Sequence, residues 1–404
     1  MQAVFKPSRA KGTVAAPPSK SMGHRMLLCA GLSGGPCRIS GIAESQDMLA
    51  TLDCLAAMGV EAGRQGDCVT LRGGAVFSSP KEVVSCRESG STLRFFIPLF
   101  LLGREKVTLT GSPRLMERPL EVYQQLCRER ALLFGREGDR LYVRGPLQPG
   151  LFSLPGDVSS QFVTGLLYAL PLLEAGSVLS LIPPVASRPY IEMTRQAQAR
   201  FGVVSHWTDE NTLRIPGGQR YQPRDAQVEG DWSNAAFLEG FSLLGGEVTV
   251  TNLIEDSLQG DKIYREYYSR LREGCPTLDI AQYPDLGPVL MALAAAGKGA
   301  TLTGTARLKI KESDRGAAMA QELEKMGVRC RVEEDTIFVP GGQLRAPELP
   351  LSGHNDHRVV MALSLLLSRL GGEIQEAQAV NKSFPGFFDA IRTLGIEVKC
   401  DEDR

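Results

Sequence analysis

At 404 residues the chain is too long for one ordinary globular core, so two domains or a repeat array are expected and a small stapled scaffold is excluded. Lys and Arg number 45 against 46 Asp and Glu; a net charge of -1 gives no global pull toward nucleic acid or an anionic membrane, so any basic site must be local. Hydrophobic residues at 43% and charged residues at 23% are ordinary soluble values, and the 43 glycines and 24 prolines are spread as turns rather than gathered in a disordered tract. Nine cysteines form an odd set with no CxxC pair, which indicates neither a disulfide framework nor a zinc site; buried thiols in a reducing cytoplasm are expected. Residues 1–20 lack the apolar stretch of a signal peptide and the apolar runs elsewhere stop short of about 18 residues, so a soluble, cytoplasmic protein without a membrane partner is expected.

In chain order, six apolar helix-like runs each follow a short polar cluster, beginning near Ser21, Ser91, Ser160, Ser233, Asp285 and Asp356. The gaps are 70, 69, 73, 52 and 71 residues, close to one sixth of the chain in all but one case, which marks an internal repeat. The runs Phe95 to Leu102, Leu166 to Leu173, Val289 to Ala296 and Val359 to Leu367 are apolar nearly all round and predict buried helices. Between them lies an amphipathic series: Ser45 to Met58, Pro119 to Leu132, Pro189 to Phe201, Lys262 to Arg272, Glu312 to Met326 and Phe384 to Leu394. Several of these end in Gly plus a β-branched residue, at Gly59, Gly202, Gly327 and Gly395, a helix stop followed by a strand. Val328 to Val332 and Thr336 to Val339 read as paired strands turning at Glu333, Glu334 and Asp335. Each unit is then strand, helix, strand, helix, strand, strand, with three units per domain.

A helix N-terminus carries unpaired N–H groups and about half a positive charge, so each buried start is an anion site when cations stand beside it and a plain cap when they do not. Lys20 sits just outside the first helix with Arg25 a turn inside; Gly90 at the second lets backbone approach a ligand, with Arg94 following; Arg114, Glu117, Arg118 and Pro119 open an amphipathic helix. Ser159, Ser160 and Gln161, then Ser187, Arg188 and Tyr190, offer donors for hydroxyls and a phosphate. Lys311 to Arg315 is read as a helix start that puts Lys311 and Arg315 on one face with Glu312 near both. Arg358, beside an all-apolar run, needs an anionic partner. Lys382 precedes Ser383, Phe384 and Pro385, and Asp285 is an acid among cation-lined tips, either a cap or a proton acceptor.

Jointly, Lys20, Ser21 and Arg25, Gly90 with Arg94, Pro113 to Pro119, Ser159 to Gln161, Lys311 to Arg315, Asn355 to Arg358 and Lys382 to Pro385 carry a resemblance over the whole chain. The chain resembles the 3-phosphoshikimate 1-carboxyvinyltransferases (5-enolpyruvylshikimate-3-phosphate synthases). The resemblance implies an α/β fold of two globules built from six βαβαββ repeats, with buried helices surrounded by sheets. The first globule would span 19–228; 1–18 and 229–404 would form the second, with the active site in the cleft between them. It implies transfer of the enolpyruvyl group of phosphoenolpyruvate to the 5-hydroxyl of shikimate 3-phosphate, with phosphate released through a tetrahedral intermediate and no metal or organic cofactor. A cytoplasmic monomer with two small-molecule substrates and no nucleic acid is the corresponding expectation.

The two substrates bring roughly five to six negative charges together, since a phosphate monoester carries about 1.5 to 2, and this explains a local gathering of cations. By the resemblance, shikimate 3-phosphate lies on Lys20, Ser21, Arg25, Ser159, Ser160, Gln161, Ser187, Tyr190, Asp285 and Lys311. Phosphoenolpyruvate meets Lys20, Gly90, Arg118, Gln161, Arg315, Arg358 and Lys382. Asp285 resembles the base for the 5-hydroxyl and Glu312 the acid for the methylene carbon, with Lys20 and Lys311 completing the catalytic set. A carboxyl beside Lys311 and Arg315 is pushed toward its ionised form, so the Glu312 role needs bound substrate anions to reverse that push. Glu88 and Ser89 depart from a common Asn and Ala, Arg188 from a common Lys, and Arg307 from a neutral Asn whose contact is not carried over. Room beside Gly90 implies competition by glyphosate. A sister transferase acting on UDP-N-acetylglucosamine is the first alternative, but Gly111 to Arg118 lacks its reactive cysteine and Cys127 lies within a helix. A non-catalytic two-lobed anion-binding protein is the second; it gains nothing from Asp285 and Glu312.

Overall fold

The structure, a computed structural model, describes residues 1–73, 80, 82–342 and 344–401. Polar residues ahead of the apolar runs set where the helices begin. Ser19, Ser89, Ser159, Asp231 and Asp356 are N-caps outside helical geometry, and their side chains accept the N–H of Met22, Thr92, Gln161, Asn234 and Arg358. Four of these caps stand one or two residues before the starts read from sequence, because the earlier polar residue of each pair takes the extended backbone. The resulting helices, Lys20–Gly31, Gly90–Phe100, Ser160–Ala169, Trp232–Leu243 and His357–Leu370, are buried on nearly every side. Gly287–Ala296 is equally buried but grows from a 3-10 turn, Pro284–Leu286, without a side-chain cap.

The amphipathic series forms Gln46–Ala57, Glu121–Glu129, Arg188–Arg200, Tyr264–Glu273, Arg315–Lys325 and Phe387–Thr393. Gly59, Gly202, Gly327 and Gly395 end four of them at φ +90, +78, +90 and +87, the left-handed conformation that a side chain resists. Two readings need correction. The run to Leu173 breaks into a 3-10 turn at Leu170–Leu172, since Pro171 removes an N–H that the helix needs. The strand expected from Val328 is only Arg331–Val332, paired with Thr336–Pro340.

Five four-stranded sheets share one order, a parallel pair continued by two antiparallel neighbours. In one, Leu151–Pro155 runs parallel to Ser177–Ile182, followed by Thr212–Ile215 and His206–Trp207. Another includes the N-terminal strand Gln2–Phe5, antiparallel to both Gly372–Gln375 and Val398–Asp401. A two-stranded parallel sheet joins Lys11–Ala15 to Glu247–Thr251. It belongs to the repeat with the short 52-residue gap, where Tyr264–Glu273 leads directly to Thr277–Asp279 without an intervening hairpin.

The chain divides into two compact units, Pro18–Glu229 and Met1–Pro17 with Gly230–Arg404. Each has its own apolar core around its three buried helices. In the first, Pro98 sits inside helix Gly90–Phe100 and cannot donate to the Arg94 carbonyl; the Tyr123 hydroxyl donates to that oxygen at 2.8 Å and also to Phe162 O at 3.0 Å. Among the described residues no helix is long and apolar enough to cross a membrane. Six cysteines are buried, but Cys275 is exposed and Cys330 and Cys400 are half-buried, so the expectation of uniformly buried thiols fails at three positions; all nine are free.

Close helix packing in the first unit depends on Gly165. A Cβ there would stand 2.4 Å from Arg94 O and 2.2 Å from the Tyr123 hydroxyl. Gly165→Ala is expected to destabilise the protein by about 1–3 kcal/mol, as overpacking does. Gly63→Ala, with nothing within 4 Å of the new carbon, should leave stability nearly unchanged. Urea unfolding midpoints of the two variants check this.

Candidate functional site

In the unit Pro18–Glu229, four helix tips carry residues predicted from sequence, at Lys20, Gly90, Ser160 and Arg188. Lys20 lies in the first turn of its helix and its Nζ is 2.8 Å from Asp47 Oδ2, an acid in the first turn of Gln46–Ala57. Arg25 is buried; it donates to Thr194 Oγ1 at 2.9 Å, to Ser21 O at 2.6 Å and to Tyr190 O at 2.8 Å, and its guanidinium lies over the Phe95 and Tyr190 rings. Ser187, with φ +55, stands at the N-cap of Arg188–Arg200, and Arg188 stacks on Trp207 at 4.2 Å.

The neighbouring tip is built around Gly90. A Cβ there would be 2.3 Å from Arg118 Nη1 and 2.9 Å from Arg94 Nη1, so the space expected beside Gly90 is filled by two guanidinium groups. Arg94 donates to Gln161 Oε1 at 3.1 Å and to Pro119 O at 2.9 Å, while Gln161 Nε2 donates to Ser91 Oγ at 3.0 Å. Gln161 follows Ser159 and Ser160, the cap and first residue of their helix. Thr164 on that helix is 3.0 Å from Thr194, the partner of Arg25, which joins this group to the Lys20 tip.

The unit of Met1–Pro17 and Gly230–Arg404 gathers the rest. Asp285 Oδ1 pairs with Arg315 Nη1 at 2.7 Å and Lys311 Nζ at 3.2 Å, and its Oδ2 with Arg358 Nη2 at 3.3 Å. Arg315, only 1% exposed, also pairs with Glu312 at 2.8 Å and with Asp356 at 2.8 Å. Lys382 donates to Asn355 O at 2.5 Å, on the loop before helix His357–Leu370. The helix expected from Lys311 begins instead at Arg315, capped by Asp314, while Lys311 is extended after a 3-10 turn. The i,i+4 argument for Lys311 and Arg315 is therefore wrong; a shared carboxylate, Asp285, brings them together. Asp285 lies within the 3-10 turn Pro284–Leu286 and is the N-cap of neither that turn nor the helix after it.

Electrostatics follow from this crowding. Burial, with Arg315 and Arg307 nearby, brings Lys311 down to about 8 against the opposing pull of Asp285 and Glu312. Burial also works against charge on Arg315, but Asp356, Glu312 and Asp285 outweigh it and raise its pKa above the usual arginine value. Burial and then Asp285 push the Asp261 carboxyl up to about 6, with Ser233 and Arg358 acting against the rise. Asp47 and Asp261 were not singled out from sequence, and Asp356 was read only as a helix start and as part of the Asn355 to Arg358 motif. Asp47 and Asp356 look like ordinary first-turn or cap acids, and Asp261, followed by Lys262 and Arg265, like part of a solvated charge run; only folding sets them against their partners. Cys127 is buried in Glu121–Glu129 and pushed up to about 12 by burial, which makes an inert thiol.

A family profile described as EPSP synthase (3-phosphoshikimate 1-carboxyvinyltransferase) matches residues 4–391. A 3-phosphoshikimate 1-carboxyvinyltransferase of Clostridium kluyveri is 37% identical, the match covering 98% of this chain and 97% of the relative. One from Clostridium perfringens is 35% identical over 97% of this chain and 98% of the relative. The solved EPSP synthase of Acinetobacter baumannii aligns with TM-score 0.78 at 23% identity, covering 99% of this chain and all of that one, and shares the fold. With cation-lined helix tips in both units and relatives matched nearly end to end, the chain belongs to the EPSP synthase (3-phosphoshikimate 1-carboxyvinyltransferase) family.

Proposed function

We infer that this chain transfers the enolpyruvyl group of phosphoenolpyruvate to the 5-hydroxyl of shikimate 3-phosphate, releasing phosphate, as a step of aromatic amino acid biosynthesis. The observation that carries the mechanism is the convergence of Lys311, Arg315 and Arg358 on Asp285. Cations buried against carboxylates are matched before substrate arrives. Phosphate and carboxylate groups of the substrates then compete for Lys311 and Arg358, and each contact drawn away raises the proton affinity of Asp285. That prepares Asp285 to take the 5-hydroxyl proton as the oxygen attacks the enol carbon. Glu312, held by Arg315, is assigned to protonate the methylene carbon, giving the tetrahedral intermediate; Glu312 then takes a proton back from the new methyl carbon as the C–O bond to phosphate breaks, and Asp285 passes its proton to the departing phosphate.

In this reading Lys20, Ser21, Arg25, Ser159, Ser160, Gln161, Ser187 and Tyr190 hold shikimate 3-phosphate together with Asp285 and Lys311. Gly90, Arg118, Gln161, Arg315, Arg358 and Lys382 hold phosphoenolpyruvate, with Lys20 between the two substrates. The enzyme in this reading works as a cytoplasmic monomer. The absence of cysteine from Gly111 to Arg118 and the inert Cys127 favour this over the sister transferase.

Asp285→Ala should lower turnover by about two to four decades, as loss of a general base does. Phosphate release measured with both substrates checks it, and near-normal turnover removes Asp285 from the mechanism. Lys311 is charged below about pH 8 and loses its charge above, so kcat/KM for shikimate 3-phosphate should hold below that pH and fall above it. Lys311→Arg, which stays charged, should abolish that alkaline fall; a limb left in place assigns it to another group. Glyphosate is expected to compete with phosphoenolpyruvate, read as apparent inhibition that weakens as phosphoenolpyruvate is raised.

A further inference from the structure

Beneath the helix tips of the Pro18–Glu229 unit runs a chain of buried polar groups that the substrate reading leaves unused. His24 Nδ1 is 2.7 Å from Thr51 Oγ1, Thr51 Oγ1 is 2.8 Å from Thr92 Oγ1, and the Thr92 hydroxyl donates to Ser89 Oγ at 2.7 Å. None of the four residues is more than 1% exposed. They belong to Lys20–Gly31, Gln46–Ala57 and Gly90–Phe100 with its cap, and each of those helices bears part of the candidate site at its tip: Lys20, Asp47 and Gly90.

The direction of the chain follows from one hydrogen per hydroxyl. Thr92 spends its hydrogen on Ser89 and so accepts from Thr51; Thr51, its hydrogen spent, accepts from His24 Nδ1–H. The chain thus places a hydrogen on Nδ1, while Nε2 is buried without a hydrogen-bond partner. A bare acceptor is tolerated there better than an orphaned N–H. Burial, and then Lys20 and Arg25, hold the His24 pKa well below the ordinary histidine value, which agrees with a neutral ring. The ring also meets Phe95 edge-on at 6.1 Å between centroids.

We propose that His24, as the neutral Nδ1–H tautomer, is a positioning residue that ties the Gly90 helix tip to the Lys20 and Asp47 tips through Thr51, Thr92 and Ser89. The tie matters because the Gly90 tip lies directly against Arg118: a Cβ on Gly90 would stand 2.3 Å from its Nη1. The position of this tip therefore bears on where the Arg118 guanidinium can sit. The inference rests on the reading in which Gly90 and Arg118 hold phosphoenolpyruvate.

Thr51→Val keeps the shape of the side chain but removes the central hydroxyl, leaving His24 Nδ1–H without its acceptor. The KM for phosphoenolpyruvate should rise about fivefold or more, the effect of orphaning a buried donor, with kcat within about twofold. Thr51→Ser should restore the wild-type KM, which a purely packing role of the threonine methyl would not allow. Independently, 15N spectra of histidine-labelled wild-type enzyme, assigned with His24→Asn, should show a protonated Nδ1 and a bare Nε2 from pH 6 to 8. A protonated Nε2 at His24, or a folded Thr51→Val enzyme with unchanged phosphoenolpyruvate KM, overturns the proposal. Arg118→Ala separates the two readings: if it leaves that KM unchanged, the substrate assignment itself falls, whereas a large effect of Arg118→Ala beside an inert Thr51→Val sinks the tie alone.

Discussion

One carboxylate holds the second half of this chain's chemistry in place. Asp285 is shared by Lys311 and Arg315, four residues apart, and by Arg358 from a distant helix, and Arg315 is in turn shared with Glu312 and Asp356. Buried cations without such partners would repel one another and resist desolvation. The acids therefore make the cationic cluster foldable. A chain of net charge -1 can hold a strongly basic site because the compensating acids stand beside it rather than across the surface.

The same device appears in simpler form in the other unit, where Asp47 matches Lys20. Arg25 and Arg94 are matched differently, by carbonyl oxygens, side-chain acceptors and aromatic faces, and they serve as struts as well as charges. Their burial lets three helix starts sit close together, and Gly90 and Gly165 supply the missing side-chain volume that this closeness requires. Pro98 fits because Tyr123 satisfies the carbonyl it leaves open. Function and packing thus meet in the same few residues, and the geometry at a helix tip is set as much by buried neutral groups as by the charges above it.

Repetition was legible because burial imposes it. A helix surrounded by protein must be apolar all round, and six such runs at nearly constant spacing leave few ways to arrange the chain. The irregular gap of 52 residues was also meaningful, since it coincides with the repeat whose hairpin is missing and whose sheet is completed by Lys11–Ala15. Helix edges were less legible: Ser19 rather than Ser21 caps the first helix, and Lys311 lies outside the helix it was thought to open. Adjacent polar residues are equivalent in composition and differ only in the backbone angles the fold assigns them.

Sequence by itself determined the mixed helix and strand architecture, its repeat, the family and the basic and acidic residues at the helix starts, because apolar periodicity and short motifs are local properties of the chain. Tertiary structure alone decided which charges meet. Asp285 lies 73 residues from Arg358 and Lys20 27 residues from Asp47, and nothing in their local spacing distinguishes a shared carboxylate from a solvated one. The buried link from His24 to Ser89 likewise depends on hydroxyls from separate helices meeting away from water. Pairing of that kind is a matter of distance and desolvation in space, and neither exists until the helices have packed.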